Sequence, residues 1–136
     1  MDKGYEQCRL VGYLPTHHDV PTIGWGCTGR DIHVGMVWSQ ETADARFASE
    51  IKRVGTAVTG ILGSAPTTQN QFDALVSFAY NEGVQRLHDS LLIAYHRQGH
   101  FATAASYFMH YTKQAGVVLG GLVKRREAER ALYLKA

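Results

Sequence analysis

Cysteine is scarce in this sequence, which excludes the classes of protein that are built on it. The only two are Cys8 and Cys27, and neither belongs to a CxxC or Cys/His spacing typical of zinc sites. Two cysteines also do not supply the disulfide framework of a small secreted domain. We expect both thiols to be reduced and non-catalytic, with a Cys8–Cys27 bridge as the open alternative, and we expect no metal and no cofactor.

Long apolar runs and charge of one sign are also lacking. No run approaches the ~20 residues of a membrane-spanning helix, and residues 1–5 hold no apolar stretch of a signal peptide. We therefore expect no stable membrane insertion and a separate means of release if the protein acts outside the cytoplasm. The net charge of +2 fits an anionic polymer as partner without requiring one. The 136 residues predict one domain with its own core.

The first third of the chain predicts a short helix and a small sheet. Residues 1–12 are expected to form a helix that carries Glu6. Three apolar segments between Gly, Pro and His-rich turns predict short antiparallel strands, at residues 13–14, 20–25 and 31–38.

A long helix is expected next. Ser39 is a predicted N-cap, and Glu41 lies in the first turn, where the helix dipole favours an anion. Apolar residues then recur at three- and four-residue spacing as far as Leu62. Gly55 and Gly60 weaken this helix by about 1 kcal/mol each relative to alanine, which predicts a bend or an early end.

After a break at residues 63–68, the pattern predicts helices only. Their apolar positions begin at Phe72, Leu91, Phe101 and Leu122. The fold class is therefore α+β, with two lobes in a single domain. We expect an N-terminal lobe at about residues 1–55 with a short antiparallel sheet, a connecting helix at about 40–62, and a helical C-terminal lobe at about 66–136. A cleft between such lobes is a natural ligand site.

Four motifs occur in order along nearly the whole chain. They are Glu6-x-x-Arg-Leu-x-x-Tyr, the segment PTIGWG followed by Cys-Thr, the pair QNQFDAL and FAYNEG, and the run GLVKRREAER. Together they resemble the phage-type lysozymes, the endolysins of glycoside hydrolase family 24. Gln7 and Cys27 depart from the family's glycine and histidine. The resemblance implies the two-lobed lysozyme fold, in agreement with the α+β prediction.

The resemblance implies a muramidase that cuts the β-1,4 bond between N-acetylmuramic acid and N-acetylglucosamine in peptidoglycan. Glu6 matches the general acid, which must protonate a poor leaving group and needs a raised pKa to do so. Thr22 matches a threonine that holds the attacking water. The alternatives are a solvated charge for Glu6 and an ordinary strand residue for Thr22, since β-branched residues favour strands.

The second carboxylate departs from the family. Pro15 stands nine residues after Glu6, where the family has its aspartate, and the loop before Thr22 is one residue longer. Our hypothesis is that Asp19 replaces the missing aspartate as base or electrostatic partner, the alternative being a turn-capping aspartate. His17 or His18 is a further candidate base, although solvent-facing histidines are the simpler interpretation and the grouping makes a poor metal site.

Substrate-binding residues are also implied by the resemblance. Asn81 matches a position facing the cleft floor, where an amide suits sugar acetamido groups, and Tyr80 beside it could pack on a sugar ring. Ser90 matches a serine on the cleft side. The alternatives are a helix C-terminal residue for Asn81, a core residue for Tyr80 and a helix N-terminal residue for Ser90.

The same resemblance bears on three further residues. Tyr111 stands where relatives have tryptophan and is expected in the core. Arg125 and Arg126 are candidates for pairing with Glu6, and the alternative, favoured for at least one of them, is a solvated basic face on the last helix.

The leading functional prediction is an endolysin that accumulates in the host cytoplasm and reaches the wall through a holin-type lesion, as a monomer. The missing aspartate keeps open a lytic transglycosylase, which forms 1,6-anhydro ends. A non-catalytic peptidoglycan-binding phage protein is the third possibility. Nucleic acid is the least favoured partner, because Glu127 and Glu129 interrupt the basic run.

Overall fold

Two short strands open the described part of the computed structural model, which comprises residues 9–13, 22–24 and 39–135. Strands β1 (Arg9–Tyr13) and β2 (Thr22–Gly24) pair antiparallel, with Arg9 opposite Gly24, Tyr13 opposite Thr22 and an irregularity between. The short antiparallel sheet is confirmed. The helix expected over residues 1–12 is wrong for residues 9–12, because pairing with β2 satisfies the backbone groups of this segment, and such pairing is set by the partner strand more than by local preference. The strand expected at 31–38 lies outside the described residues.

The long helix α1 (Gln40–Leu62) is confirmed, and so is its cap. The Ser39 hydroxyl accepts a hydrogen bond from the Thr42 backbone N–H at 3.1 Å, and the Ser39 carbonyl accepts one from Ala43 at 3.0 Å. The helix runs through Gly55 without the early end that the glycines predicted. Its apolar stripe explains this, since burial of Val54, Val58 and other stripe residues offsets a cost of about 1 kcal/mol per glycine.

The boundary between two compact units falls between Arg53 and Val54. We call the unit that begins at Val54 the second unit. In it, helix α2 (Gln69–Glu82) begins with a reciprocal cap. The Thr68 hydroxyl accepts from the Gln71 N–H at 3.1 Å, and the Gln71 side-chain oxygen accepts from the Thr68 N–H at 2.9 Å. The helix ends at Gly83, whose φ of 107° lies in the region that favours glycine.

Four more helices complete this unit. They are α3 (Val84–His88), α4 (Leu91–Arg97), α5 (Phe101–Ser106), continued by a 3₁₀ turn at Tyr107–His110, and α6 (Gly120–Leu134). Helices α4, α5 and α6 were predicted. Helix α3 was missed because it has five residues and buries only Leu87, so it shows no apolar period.

A small hairpin between the 3₁₀ turn and α6 was also missed. Strands β3 (Lys113–Gln114) and β4 (Val117–Val118) pair antiparallel across Ala115 and Gly116, whose φ angles are 52° and 80°. Positive φ at both central residues is what a two-residue hairpin turn requires. Alanine is an unusual residue there, which is why the sequence did not predict the turn.

The core of the second unit forms where α6 packs on α2 and on the 3₁₀ turn. The rings of Phe78, Phe108 and Tyr133 meet edge to face, with centroids 5.8 Å apart for the first pair and 5.5 Å for the second. Tyr111, which was expected in the core, adds its ring to Phe78 at 4.8 Å but is only half-buried, so it lies at the edge of the core. Such pairs add about 0.5–1.5 kcal/mol beyond the burial of their area.

Candidate functional site

Much of the predicted catalytic set falls on residues that the structure does not describe. Glu6 and Asp19 lie outside the described residues, as do Pro15, His17 and His18. Thr22 is placed through its backbone alone, as the first residue of β2 opposite Tyr13. The roles assigned to Glu6, Asp19 and Thr22 therefore stay predictions.

Asn81 and Tyr80 occupy the last turn of α2. Asn81 is exposed, and its side-chain Oδ1 accepts a hydrogen bond from Nη2 of Arg126 at 2.6 Å. Tyr80 is half-buried beside it. The structure thus leaves the Asn81 side chain accessible at the surface and ties it to a residue of the last helix.

Ser90 is the N-cap of α4. Its Oγ donates to the Leu87 carbonyl at 2.7 Å and accepts from the Ile93 backbone N–H at 3.2 Å, and the residue is buried. The hydroxyl satisfies one of the unpaired N–H groups at the start of a helix. The helix N-terminal alternative is therefore confirmed, while the substrate-binding role stays a prediction.

Arg125 and Arg126 are buried, with 5% and 0% of their surfaces exposed. The expected solvated basic face is therefore wrong for both residues. Their neighbours explain why: α6 brings both guanidinium groups against the Ser77 carbonyl and polar side chains of α2, so the charges are paired inside the protein rather than solvated. The alternative pairing with Glu6 lies outside the described residues.

Glu129 joins the two arginines one turn further along α6. Its Oε2 accepts from the Ser77 hydroxyl at 2.5 Å and from Arg125 Nε at 3.2 Å. Its Oε1 lies 2.9 Å from Arg126 Nε, a close ion pair whose N–H is not aligned for a hydrogen bond. Arg125 Nη2 also donates to the Ser77 carbonyl at 3.1 Å. The carboxylate therefore links α6 to the middle of α2.

Opposing forces act on the Glu129 carboxyl. Burial raises its pKa, and Arg126, the Ser77 hydroxyl and Arg125 act in the lowering direction. The net direction is upward, because removing a carboxylate from water is costly even beside cations. Loss of either arginine would remove part of the compensation for this buried charge.

Arg126 is fixed on several sides. Its Nη1 donates to Glu82 Oε1 at 3.1 Å, while the other oxygen of Glu82 accepts from Arg86 at 2.8 Å. The guanidinium carbon also lies 5.1 Å from the centroid of the Phe78 ring, within range of a cation–π contact. Arg126 is therefore held by α2 through charge, hydrogen bonds and an aromatic face, and among the described residues that contact it Asn81 is the exposed one.

Sequence reasoning missed Glu82 and Glu129. The available signal was the spacing within KRREAER, where Arg125 and Glu129 are four residues apart and Arg126 and Glu129 three apart. That spacing is also typical of solvated pairs on a helix surface. Only the packing of α6 against α2 shows that these pairs are buried.

A metal site and a membrane-spanning helix are both absent from the part of the chain that the structure describes. No group of three or more His, Cys, Asp or Glu side chains there could hold a metal ion. None of the helices described is both long and apolar enough to cross a membrane.

Comparison with known proteins gives a consistent set of matches. The family model for phage lysozyme matches residues 3–129. An endolysin of Bacillus phage B103 is 42% identical over 134 residues, which is 97% of this chain and 50% of that protein. This chain spans about half the length of the first curated relatives that it matches.

Solved structures match over almost the whole chain. The endolysin from Escherichia coli O157:H7 phage FAHEc1 superposes with a TM-score of 0.83 at 32% identity, covering 98% of this chain and 87% of that one. The muramidase domain of SpmX from Asticaccaulis excentricus gives a TM-score of 0.84 at 31% identity, covering 98% and 92%. Both likenesses support the α+β lysozyme-like fold.

Proposed function

The chain belongs to the phage lysozyme family, and on that premise we propose that it hydrolyses the β-1,4 bond between N-acetylmuramic acid and N-acetylglucosamine in bacterial peptidoglycan. The observation that carries the proposal is the similarity to a muramidase domain over 98% of this chain at a TM-score of 0.84. The endolysin names of the relatives support a role in lysis of the host cell wall.

Glu6 is the proposed general acid. A glycosidic oxygen leaves poorly unless it is protonated as the bond breaks, so the reaction needs a carboxylic acid that is still protonated near neutral pH. Glu6 is the carboxylate at the family's position in the Glu-x-x-Arg-Leu motif.

Asp19 and Thr22 are proposed to act on the water. In an inverting glycosidase a second carboxylate activates water on the opposite face of the sugar, roughly 6.5–9.5 Å from the acid. Asp19 is the carboxylate that the sequence offers between Glu6 and Thr22, and the Thr22 hydroxyl would hold the water in place.

Asn81, Tyr80 and Ser90 are the proposed substrate-binding residues. The exposure of Asn81 at the end of α2 supports this role most strongly. Tyr80 is half-buried, which leaves part of its surface for a sugar ring. Ser90 is the weakest of the three, since its hydroxyl already makes two hydrogen bonds within its own turn.

The proposed biological setting is lysis of the host at the end of phage infection. We place the protein in the host cytoplasm until a holin-type lesion gives it access to the wall. It would act as a monomer through one lysozyme domain over residues 1–136, with peptidoglycan strands as its partner and without nucleic acid or stable membrane insertion.

One feature of the sequence favours a second candidate reaction. Pro15 stands where the family has its aspartate, and an enzyme without a base for water can let the muramic acid 6-hydroxyl attack instead. That reaction is a lytic transglycosylation and produces 1,6-anhydro ends.

Mass spectrometry of the fragments released from purified peptidoglycan tests the proposal. Hydrolysis predicts reducing N-acetylmuramic acid ends, whose mass exceeds that of the anhydro ends by one water. Anhydro ends alone would establish the transglycosylase. Binding to peptidoglycan without release of fragments would indicate the non-catalytic alternative.

A further inference from the structure

We propose that Arg126 fixes the orientation of the Asn81 amide so that its NH2 group is left to bind a carbonyl oxygen of the substrate, and that Glu129 is the positioning residue that holds Arg126 for this task. The inference rests on the proposed function, because it takes the N-acetylated glycan of peptidoglycan as the ligand. In this inference, Arg126 and Glu129 decide whether the Asn81 amide offers its N–H donors or its acceptor oxygen to that ligand.

The chemistry of the two side chains fixes the orientation of the amide. An asparagine side chain has one acceptor oxygen and an NH2 with two donors, whereas a guanidinium has donors alone. The 2.6 Å contact with Arg126 Nη2 must therefore be made by Asn81 Oδ1, since the NH2 group would set donors against donors. The bond is charge-assisted, which makes it stronger than one between neutral groups.

The opposite side of the amide is available for a ligand. Asn81 is exposed, and its Nδ2 donates to none of the residues that the structure describes. An asparagine free to turn over would offer an acceptor and donors equally. Asn81 keeps its two N–H donors for a ligand, so that ligand is a group with an accepting oxygen. On an N-acetylated glycan strand, each sugar carries an acetamido carbonyl, which accepts without donating.

Arg126 is packed in place by the residues around it. Its side chain has no exposed surface and contacts Glu82, Glu129 and the Phe78 ring together with Asn81. Because Arg126 holds the Asn81 amide, that amide loses little conformational freedom when a ligand binds, which favours affinity.

Glu129 secures Arg126 without contacting Asn81. It lies 2.9 Å from Arg126 Nε and is itself held by Ser77 and Arg125. In Glu129→Gln the side chain keeps its shape but loses the charge that orients the guanidinium. We expect the Asn81 amide then to sample both orientations.

Kinetics on soluble N-acetylated peptidoglycan strands test the proposal. Asn81→Asp keeps the acceptor toward Arg126 but replaces the two donors by an oxygen. We expect its KM to rise about tenfold with little change in kcat, since a hydrogen bond in the ground state and the transition state is lost and a repulsion is added. Asn70→Asp, the same change at the other end of α2, is the matched control for charge and should leave KM within about twofold of the wild-type value.

A double-mutant cycle separates positioning from a merely structural role. In the wild-type background, Glu129→Gln is expected to raise KM about threefold to tenfold. In the Asn81→Ala background, adding Glu129→Gln is expected to leave KM at the value of Asn81→Ala alone. An equal rise in both backgrounds would overturn the role of Glu129. If Glu129→Gln does not fold, Arg126→Lys takes its place in the cycle, because lysine keeps the charge but loses the fork-shaped geometry.

Competition with N-acetylated and N-deacetylated strands tests the ligand group. Both kinds of strand are added as competitors to the lysis of cell walls by the wild-type protein and by Asn81→Ala. Deacetylated strands lack the carbonyl, so Asn81→Ala should weaken inhibition by the N-acetylated strands and leave inhibition by the deacetylated strands unchanged. A wild-type KM for Asn81→Asp, or an equal loss for both strands, would overturn the proposal. Failure of the wild-type protein to release reducing ends would instead overturn the proposed function, so the two failures are distinguishable.

Discussion

Nδ1 of His96 lies 2.6 Å from the hydroxyl of Tyr133, which joins α4 to the last turns of α6. On the other side of the ring, Nε2 lies 2.8 Å from the Thr67 hydroxyl, whose own proton goes to the Ala65 carbonyl at 3.0 Å. Thr67 therefore accepts from Nε2–H, and Tyr133 donates to Nδ1. This chain of hydrogen bonds requires a neutral imidazole with its proton on Nε2.

The first prediction is a loss of stability below the ordinary pKa of histidine. Burial lowers the pKa of His96 below 6.5, because the charged ring would lose water and would set Nδ1–H against the Tyr133 proton. The unfolded state then binds more protons, so the stabilising contribution is complete above pH 6.5 and is lost as the pH falls through the folded-state pKa.

Urea unfolding of the wild-type protein and His96→Gln at pH values from about 8 to about 5 measures this dependence. The variant should show a shallower fall of the unfolding free energy over the acidic range. His110→Gln, at an exposed site, is the control and should keep the wild-type slope. Equal slopes for all three proteins would contradict the assignment.

The second prediction concerns the Tyr133 hydroxyl. Tyr133→Phe leaves the buried Nδ1 of His96 without a donor, so we expect the free energy of unfolding to fall by about 1–3 kcal/mol. Tyr107→Phe is the matched control, because that hydroxyl has no hydrogen-bond partner among the residues described, and it should change the value by less than about 0.5 kcal/mol. Chemical denaturation compares them, and equal effects would refute the bond's contribution.

The third prediction tests the buried charges of α6. Arg125→Ala removes a cation from the carboxylate of Glu129 and should lower the free energy of unfolding by about 3–5 kcal/mol. The neighbouring Lys124 is exposed, and Lys124→Ala is expected to have an effect within about 0.5 kcal/mol. Denaturant unfolding measures both variants. Similar small losses for the two would mean that the Arg125–Glu129 ion pair contributes little to the free energy of unfolding.

The fourth prediction concerns the replaced carboxylate. Asp19→Asn should lower the rate of peptidoglycan hydrolysis by about 10²–10⁴-fold, the usual contribution of a general base. Turbidity loss of cell-wall suspensions measures this rate, with Asp73→Asn on α2 as the control that changes charge alone. A near-normal rate for Asp19→Asn would assign Asp19 to capping the turn and direct attention to His17 or His18.

The elements that the sequence predicted are those with a strong local signal. Helix α1 has a cap at Ser39 and a continuous apolar stripe, and it continues through Gly55 and Gly60 as far as Leu62. Helix α2 has its apolar face and a break before it, so its existence and approximate extent followed from spacing.

The elements that were missed depend on packing rather than local sequence. Residues 9–12 form part of a strand because β2 is there to pair with them, which no local propensity records. Arg125 and Arg126 have the spacing of surface charges, and only the polar residues of α2 make their burial possible. The orientation of the Asn81 amide follows from the same packing and could not be read from the chain.

The most direct test of the proposed muramidase is the rate at which reducing ends are released from purified peptidoglycan by the wild-type protein and by Glu6→Gln. Glutamine keeps the shape of the side chain but carries no acidic proton for the leaving oxygen. The expected result is release by the wild-type protein and a loss of about 10²–10⁴-fold in Glu6→Gln, with Glu127→Gln, at an exposed site on α6, at the wild-type rate. Wild-type release by Glu6→Gln would contradict the role of Glu6 as general acid.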